Sequence, residues 1–346
     1  MIRAITWVTE PRHAIRLIDQ TKLPHTEEFI DVVSTEQLVD AIARLVVRGA
    51  PALGAAGAYG VALVLTEGAA KGWDDAAIAA AVAAVREARP TAVNLAWGVD
   101  QVAPLIPQGF EAVLAAAHAV AAADEAANRE LARRGADWLI ANYPREKYRV
   151  LTHCNTGALA TTAWGTALGV IRELHERGLV EEVYADETRP LLQGSRLTSW
   201  EMKKLGIAHR VQVDGAASST ILRGLVDFAI IGADRIALNG DTANKIGSVA
   251  VALACHRAGV PFMVAAPAST VDLQTASGAD IEIELRSDDE VNFLGGQRLT
   301  PEGVAGYNPA FDVTPADLID AIVTEKAVFE PKREESATVM ARLATL

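Results

Sequence analysis

The spacing of apolar and polar positions changes character along the chain. Early on, apolar residues recur at helical intervals: Leu38, Ala41, Ile42 and Leu45 fall on one face of a helix predicted over 35–47. Arg48-Gly49-Ala50-Pro51 breaks that pattern, and a helix of small residues resumes over 52–65. Asp74-Asp75 stands where it can cap an alanine-rich helix that runs to Ala88 and ends at Pro90. Helical patterns also cover 92–102 and 110–139, and short strand-like pieces such as Ala14-Ile15-Arg16-Leu17-Ile18 come before them all. Beyond residue 140 strands alternate with helices. Strands are predicted over 148–152, 183–185, 208–213, 227–231 and 261–265. Helices are predicted over 158–177 and 196–205, from Ala216, and over 248–257.

This pattern predicts a mainly α-helical N-terminal domain with short strands, 1–140, and an α/β domain, 141–346. Strand–helix alternation implies a Rossmann-like, doubly wound parallel sheet with right-handed crossovers. Such sheets bind ligands outside the carboxyl ends of their strands. The residues at those ends are polar: His153-Cys154-Asn155, Asp186-Glu187-Thr188-Arg189, Asp214-Gly215 and Gly232-Ala233-Asp234. The apolar run Phe228-Ala229-Ile230-Ile231 stops at Gly232, so Asp234 lies just past a strand's carboxyl end. Asn239-Gly240-Asp241 makes a turn, and Asn244-Lys245-Ile246-Gly247 leads into the helix from Ser248. Amides at that helix start, beside one lysine, suit an anion. A glycine fingerprint for nicotinamide cofactors follows none of the strands, which sets hydride transfer to NAD aside.

Composition narrows the classes. The formal charge is -12 and the cations form no cluster, which argues against nucleic acid. Two cysteines, Cys154 and Cys255, lie far apart, as expected in a reducing cytoplasm rather than in a disulfide scaffold. The first ten residues lack a signal-peptide core, and the apolar stretch 76–85 is too short to span a bilayer. Seven histidines without a ligand spacing point to no metal site. Taken alone, the residues leave two readings open at each candidate. A thiol after a strand is commonly a small buried hydrophobe, and a post-strand aspartate commonly caps a turn. Arg48 and Arg89 serve equally as helix-end cations. Asp214 serves the site or the turn before Gly215. Cys255, among Ala250, Val251 and Ala254, reads as core, and His153 as a packing residue.

Five motifs in order bear on the choice for Cys154 and Asp234: Arg48-Gly49-Ala50-Pro51-Ala52-Leu53-Gly54, Arg89-Pro90-Thr91-Ala92-Val93-Asn94-Leu95, Thr152-His153-Cys154-Asn155-Thr156-Gly157, Asp186 through Gly194, and Gly232 through Gly247. With Asn308-Pro309-Ala310-Phe311-Asp312-Val313-Thr314-Pro315, they resemble the methylthioribose-1-phosphate isomerases of methionine salvage, nearly end to end. The resemblance implies an aldose–ketose isomerase acting on 5-methylthioribose 1-phosphate as a homodimer; with the charge, cysteine, histidine and hydropathy readings above, the expectation is a cytoplasmic enzyme without cofactor and without nucleic-acid or membrane partners. It implies Cys154 and Asp234 as the catalytic pair, and Arg48, Gly49, Ala50, Arg89, Gln193, Asn244 and Lys245 as substrate-binding residues. An acid at Asp234 calls for a desolvated setting, which the flanking Ala229-Ile230-Ile231 suggests, and a thiolate at Cys154 calls for a cation or a helix start.

The same superfamily includes ribose-1,5-bisphosphate isomerases and regulatory subunits of a translation-initiation exchange factor. The stretch Asp214-Gly215-Ala216-Ala217-Ser218-Ser219, and Ser248 where threonine is usual, depart from the resemblance. Three further readings therefore stand beside the first: action on 5-deoxyribose 1-phosphate, action on ribose 1,5-bisphosphate, or a non-enzymatic subunit that senses a sugar phosphate or nucleotide.

Overall fold

The computed structural model describes residues 2–90 and 93–346. Met1 lies outside the described residues, as do Thr91 and Ala92, which fall in the 89–95 motif and at the start of the helix expected over 92–102. The chain forms two compact units, Met1–Arg129 with Thr156–Gly165, and Glu130–Asn155 with Thr166–Leu346.

The first unit opens with an antiparallel sheet of β1 (Ile5–Val8), β2 (Ala14–Ile18) and β3 (Phe29–Val32). Helices α1 (Thr35–Ala43), α2 (Ala50–Lys71), α3 (Asp75–Glu87), α4 (Val93–Val102) and α5 (Phe110–Asn142) follow. The division between units lies inside α5, after Arg129, and 156–165 returns to the first unit. Asp74 caps α3 by accepting the Ala77 N–H at 2.8 Å. Helix α1 stops short of residue 47 because Leu45 turns to a φ of 63°. Pro51 does not break a helix; it sits in the first turn of α2, where a missing N–H leaves no bond unmade. Helix α2 is long and apolar enough to cross a bilayer by length and composition, but it is buried over most of its length and forms the centre of this unit's core. Glycine lets it touch α4 backbone to backbone: a Cβ on Gly98 would lie 1.9 Å from the Gly54 carbonyl oxygen.

The second unit is the doubly wound domain. Its strands are β4 (Tyr148–Thr152), β5 (Val180–Asp186), β6 (His209–Gln212), β7 (Phe228–Ile231), β8 (Arg235–Ala237), β9 (Thr242–Lys245), β10 (Phe262–Ala265), β11 (Val271–Asp272), β12 (Phe293–Leu294), β13 (Gln297–Arg298), β14 (Phe311–Thr314), β15 (Ala321–Val323) and β16 (Val328–Phe329). Its helices are α6 (Ala167–Glu176), α7 (Ser199–Leu205), α8 (Ala217–Leu222), α9 (Ser248–Ala258), α10 (Asp289–Asn292) and α11 (Ser336–Leu343). Among the described residues the main sheet has the order β16-β15-β10-β7-β4-β5-β6. All neighbours are parallel except β15 and β16. The chain starts at β4, builds outward through β5 and β6, then crosses back to add β7, β10 and β15 on the other side. Strand order therefore reverses between β4 and β7, the place where such sheets bind ligands.

Two regions depart from the predicted pattern. The helix expected over 158–177 forms only as α6, because Trp164 and Gly165 take φ values of 74° and 97° and end any helical run before it. The stretch after β7 folds as a second sheet, β11-β8-β9-β14, with Asn239-Gly240 at the β8–β9 turn.

Candidate functional site

Strands β4 and β7 pair in parallel with Thr152 opposite Ile230, and the Thr152 hydroxyl donates to the Ile230 carbonyl at 2.9 Å. At the other end of the pair, Asp227 accepts the Arg149 backbone N–H at 3.0 Å and two guanidinium bonds at 2.9 and 2.8 Å. Adjacent strands lie about 4.8 Å apart, so the turns that leave their carboxyl ends start as neighbours. One carries His153 and Cys154, the other Asp234.

The two turns differ in burial. Cys154 is buried, with a φ of 65° that non-glycine residues rarely adopt. Its N–H donates to the Thr188 hydroxyl at 2.8 Å, and its carbonyl accepts from the Thr198 hydroxyl at 2.6 Å. Asp234 is exposed, and its N–H donates to the Ala243 carbonyl at 2.9 Å. The desolvated setting expected from Ala229-Ile230-Ile231 is thus not found at Asp234. Those side chains are buried within the sheet, and Gly232-Ala233 carries the chain past its edge.

Behind Cys154, His153 is buried and spends both ring nitrogens: Nδ1 lies 3.0 Å from an Asp186 oxygen and Nε2 lies 2.8 Å from the Ile246 carbonyl. Burial works against a charged imidazole, but the hydrogen bond and charge of Asp186 hold the His153 pKa above its ordinary value. Burial raises Asp186 as well, so the pair keeps its shared proton. Gly247, with a φ of 107°, must be glycine here, because a Cβ would lie 2.8 Å from the imidazole. Among the described residues His153, Asp186 and Asp214 form the one group spaced like metal ligands. Their polar atoms are engaged by other partners or, for His153 and Asp186, by each other. The two Asp214 oxygens accept the Thr188 and Arg189 N–H groups at 2.7 and 2.6 Å, and the imidazole has no lone pair left for a cation.

The second unit also holds Gln193, Asn244 and Lys245. Gln193 is buried, and its Oε1 has no hydrogen-bond partner among the described residues. It leads into a π-turn, Gly194–Thr198, that packs against the end of β5; a Cβ on Gly194 would lie 1.6 Å from the Asp186 carbonyl oxygen. Asn244 is buried and donates to the Ser248 hydroxyl at 2.9 Å. Lys245 donates to the Ala310 carbonyl at 2.8 Å and stands over the Phe311 ring. The α9 start, which the sequence presents as an anion seat, already holds a carboxylate. Asp312 accepts the Gly247 N–H at 2.8 Å and the Val249 N–H at 3.3 Å. Burial raises the Asp312 pKa and these amides lower it, with the net shift upward.

Arg48, Gly49, Ala50 and Arg89 belong to the first unit. Arg48 to Ala50 form the corner into α2, where Gly49 takes a φ of 94° and a Cβ would lie 2.2 Å from the Ala160 carbonyl oxygen. Arg89 follows the end of α3. The other thiol, Cys255, is fully buried in the core, which pushes its pKa up to about 12.

Residues 46–331 match the initiation factor 2 subunit family. The chain is 51% identical over 91% of its length to a probable bifunctional methylthioribose-1-phosphate isomerase/methylthioribulose-1-phosphate dehydratase of Nocardia farcinica, of which it spans 57%. It is 48% identical over 97% of its length to a methylthioribose-1-phosphate isomerase of Anaeromyxobacter dehalogenans, of which it spans 96%. Among solved structures it is similar to 5-methylthioribose 1-phosphate isomerase from Pyrococcus horikoshii, with TM-score 0.89, 35% identity, and 99% and 96% of the two chains covered. It is also similar to translation initiation factor eIF-2B, subunit delta, from A. fulgidus, with TM-score 0.86, 39% identity, and 99% and 100% covered.

Proposed function

Because the chain belongs to the initiation factor 2 subunit family and, within it, to the methylthioribose-1-phosphate isomerases, we infer that it converts 5-methylthioribose 1-phosphate to 5-methylthioribulose 1-phosphate in methionine salvage. The observation that carries this is near-full-length identity of 46–48% to relatives that bear that name. The chemistry explains why a thiol and a carboxyl group would be needed. Phosphate on the anomeric oxygen prevents a free aldehyde from forming by simple ring opening. In our reading Asp234 protonates the ring oxygen as the C1–O4 bond breaks. Cys154, as a thiolate, takes the proton from C2 and returns it to C1, while the C2 hydroxyl loses its proton to the Asp234 carboxylate as the ketone forms. A direct hydride shift from C2 to C1, with Cys154 stabilising charge, uses the same two residues. Asp234 is exposed, so the substrate that covers it supplies the desolvation that favours its protonated form.

Arg48, Gly49, Ala50, Arg89, Gln193, Asn244 and Lys245 hold the phosphate and sugar in this reading. Arginine and backbone amides suit a phosphate. We extend it to a cytoplasmic homodimer that needs no metal; a chain with two cysteines, both buried and 101 positions apart, is no disulfide scaffold, which supports the reducing compartment. Light scattering of the pure protein tests the dimer, with a mass of one chain as the overturning result.

The 39% identity to an eIF-2B subunit structure is what stands behind a second reading, a non-enzymatic regulatory subunit, which the near-full-length isomerase relatives do not favour. One assay separates all the alternatives. Purified protein is given 5-methylthioribose 1-phosphate, 5-deoxyribose 1-phosphate and ribose 1,5-bisphosphate side by side. We expect kcat/KM to fall in that order. The first gap should be about 10–200-fold or less, since an apolar pocket discriminates weakly against a smaller group. The second should be larger, because a second phosphate would be buried without partners. Turnover of none supports the regulatory subunit, and the bisphosphate as best substrate overturns the salvage assignment.

A further inference from the structure

We propose that Thr188 and Thr198 are positioning residues for Cys154, holding its peptide in the left-handed conformation that fixes where the thiol points. This rests on the reading of Cys154 as the reacting thiol and adds to it the means by which that thiol is set. The starting point is an outlier. Cys154 has a φ of 65°, and so does Thr188, a β-branched residue for which this conformation is still less favourable. Backbone held this way persists only where the surroundings over-determine it.

The surroundings do so here with two hydroxyls, each used in both directions. The Thr188 hydroxyl donates to the Asp186 carbonyl at 3.0 Å and accepts the Cys154 N–H at 2.8 Å. The Thr198 hydroxyl donates to the Cys154 carbonyl at 2.6 Å and accepts from the Asn155 side chain at 3.3 Å. Each hydroxyl proton therefore has one place to go. Both threonines are fully buried, so no water stands in if a hydroxyl is lost. Each is anchored in turn. The Thr188 N–H is held by Asp214 at 2.7 Å. Thr198 closes the π-turn Gly194–Thr198, an irregular element that recurs at functional sites. Asn155 is tied to the buried Glu201 at 2.8 Å. The N–H and C=O groups flanking the Cys154 side chain are thus both held from the β5–α7 connection, with no ligand needed.

The test compares valine, which keeps shape and removes the hydroxyl, with serine, which keeps the hydroxyl. Thr198→Val and Thr188→Val are expected to lower kcat about 10- to 100-fold, the scale of a misplacement near 1 Å, with KM within about threefold. Thr198→Ser and Thr188→Ser should retain kcat within about threefold of the parent. Thermal unfolding of every variant is followed in parallel, because a role confined to packing would lower stability and leave kcat of the folded protein unchanged. If a valine variant does not fold, alanine against serine at the same position reads the same hydroxyl. Folded valine or alanine variants with parental kcat, or serine variants as impaired as valine, overturn the proposal. Cys154→Ala keeps the two failures apart. If it is active, the thiol reading itself fails. If it is inactive beside fully active Thr188 and Thr198 variants, only the positioning role fails.

Discussion

Strands β4 and β7 end at the same edge of the same sheet, yet they deliver their candidate catalytic residues in opposite ways. β4 delivers Cys154 buried, its peptide held by hydroxyls from the β5–α7 connection. β7 delivers Asp234 exposed, past Gly232-Ala233 and beside the β8–β9 hairpin. The contrast separates two ways of preparing a group for chemistry. In the proposed function, the thiol is set by the fold before substrate arrives, whereas the carboxyl group waits for substrate to change its surroundings.

The largest effect expected from this comparison is at the buried end. Cys154→Ala should lower kcat towards the upper end of the roughly 10²–10⁴-fold range for a lost acid–base group, with substrate still protecting the protein against thermal unfolding. Retention of activity within tenfold would remove the thiol from the mechanism. Asp234→Asn should cost less, about 10²–10³-fold in kcat, with KM close to the parent value. An unchanged kcat with a raised KM would make Asp234 a binding residue instead.

A smaller effect sharpens the comparison from the other end of the same strand pair. Burial raises the Asp227 pKa, but the Arg149 hydrogen bonds and the nearby arginine charges outweigh it and hold the carboxyl below its ordinary range. A lowered folded-state value stabilises the fold above the unfolded carboxyl pKa of about 3.9, and that contribution is lost as pH falls through the folded value. Asp227→Asn should therefore destabilise the protein by about 1.5–3 kcal/mol at pH 7. The gap to the parent should narrow in acid; a gap that widens on acidification contradicts the assignment. The smallest effect belongs to the other thiol. Cys255→Ala should leave kcat unchanged and lower Tm by a few degrees, because it removes one core sulfur from a site the chemistry does not use. A Cys255→Ala variant that lost activity would break the contrast between the two cysteines.

Much of this could be read from the chain because its determinants are local. The apolar run at 228–231 and the strand over 148–152 set the two central strands, and Asp74 three residues ahead of Ala77 set a cap. The motif residues placed Cys154 and Asp234 at strand ends. What escaped the sequence is non-local or conformational. Asp312 reaches the α9 start from 65 positions away, so no spacing near Lys245 hints that those amides are taken. Thr188 lies in a strand-end motif and Thr198 in the helix predicted over 196–205, and neither residue type shows that β5 and the π-turn bring them to Cys154. Trp164 gives no sign in its residue type that it will take a positive φ and end the expected helix. The exposure of Asp234 depends on where Gly232-Ala233 leads, and an apolar strand before it says nothing about that.

The reversal of strand order between β4 and β7 has a consequence for the order in which the protein becomes competent. The bonds that set Cys154 reach 34 and 44 residues along the chain, whereas Arg149 and Asp227, which tie β4 to β7, are 78 apart. Closing a longer loop costs more entropy, and distant pairings are slower to form. The thiol's cradle therefore closes over a shorter stretch than the partnership with Asp234, and its parts also leave the ribosome first. In the proposed function catalysis needs both closures, so activity is expected to appear during refolding no earlier than the docking of β7.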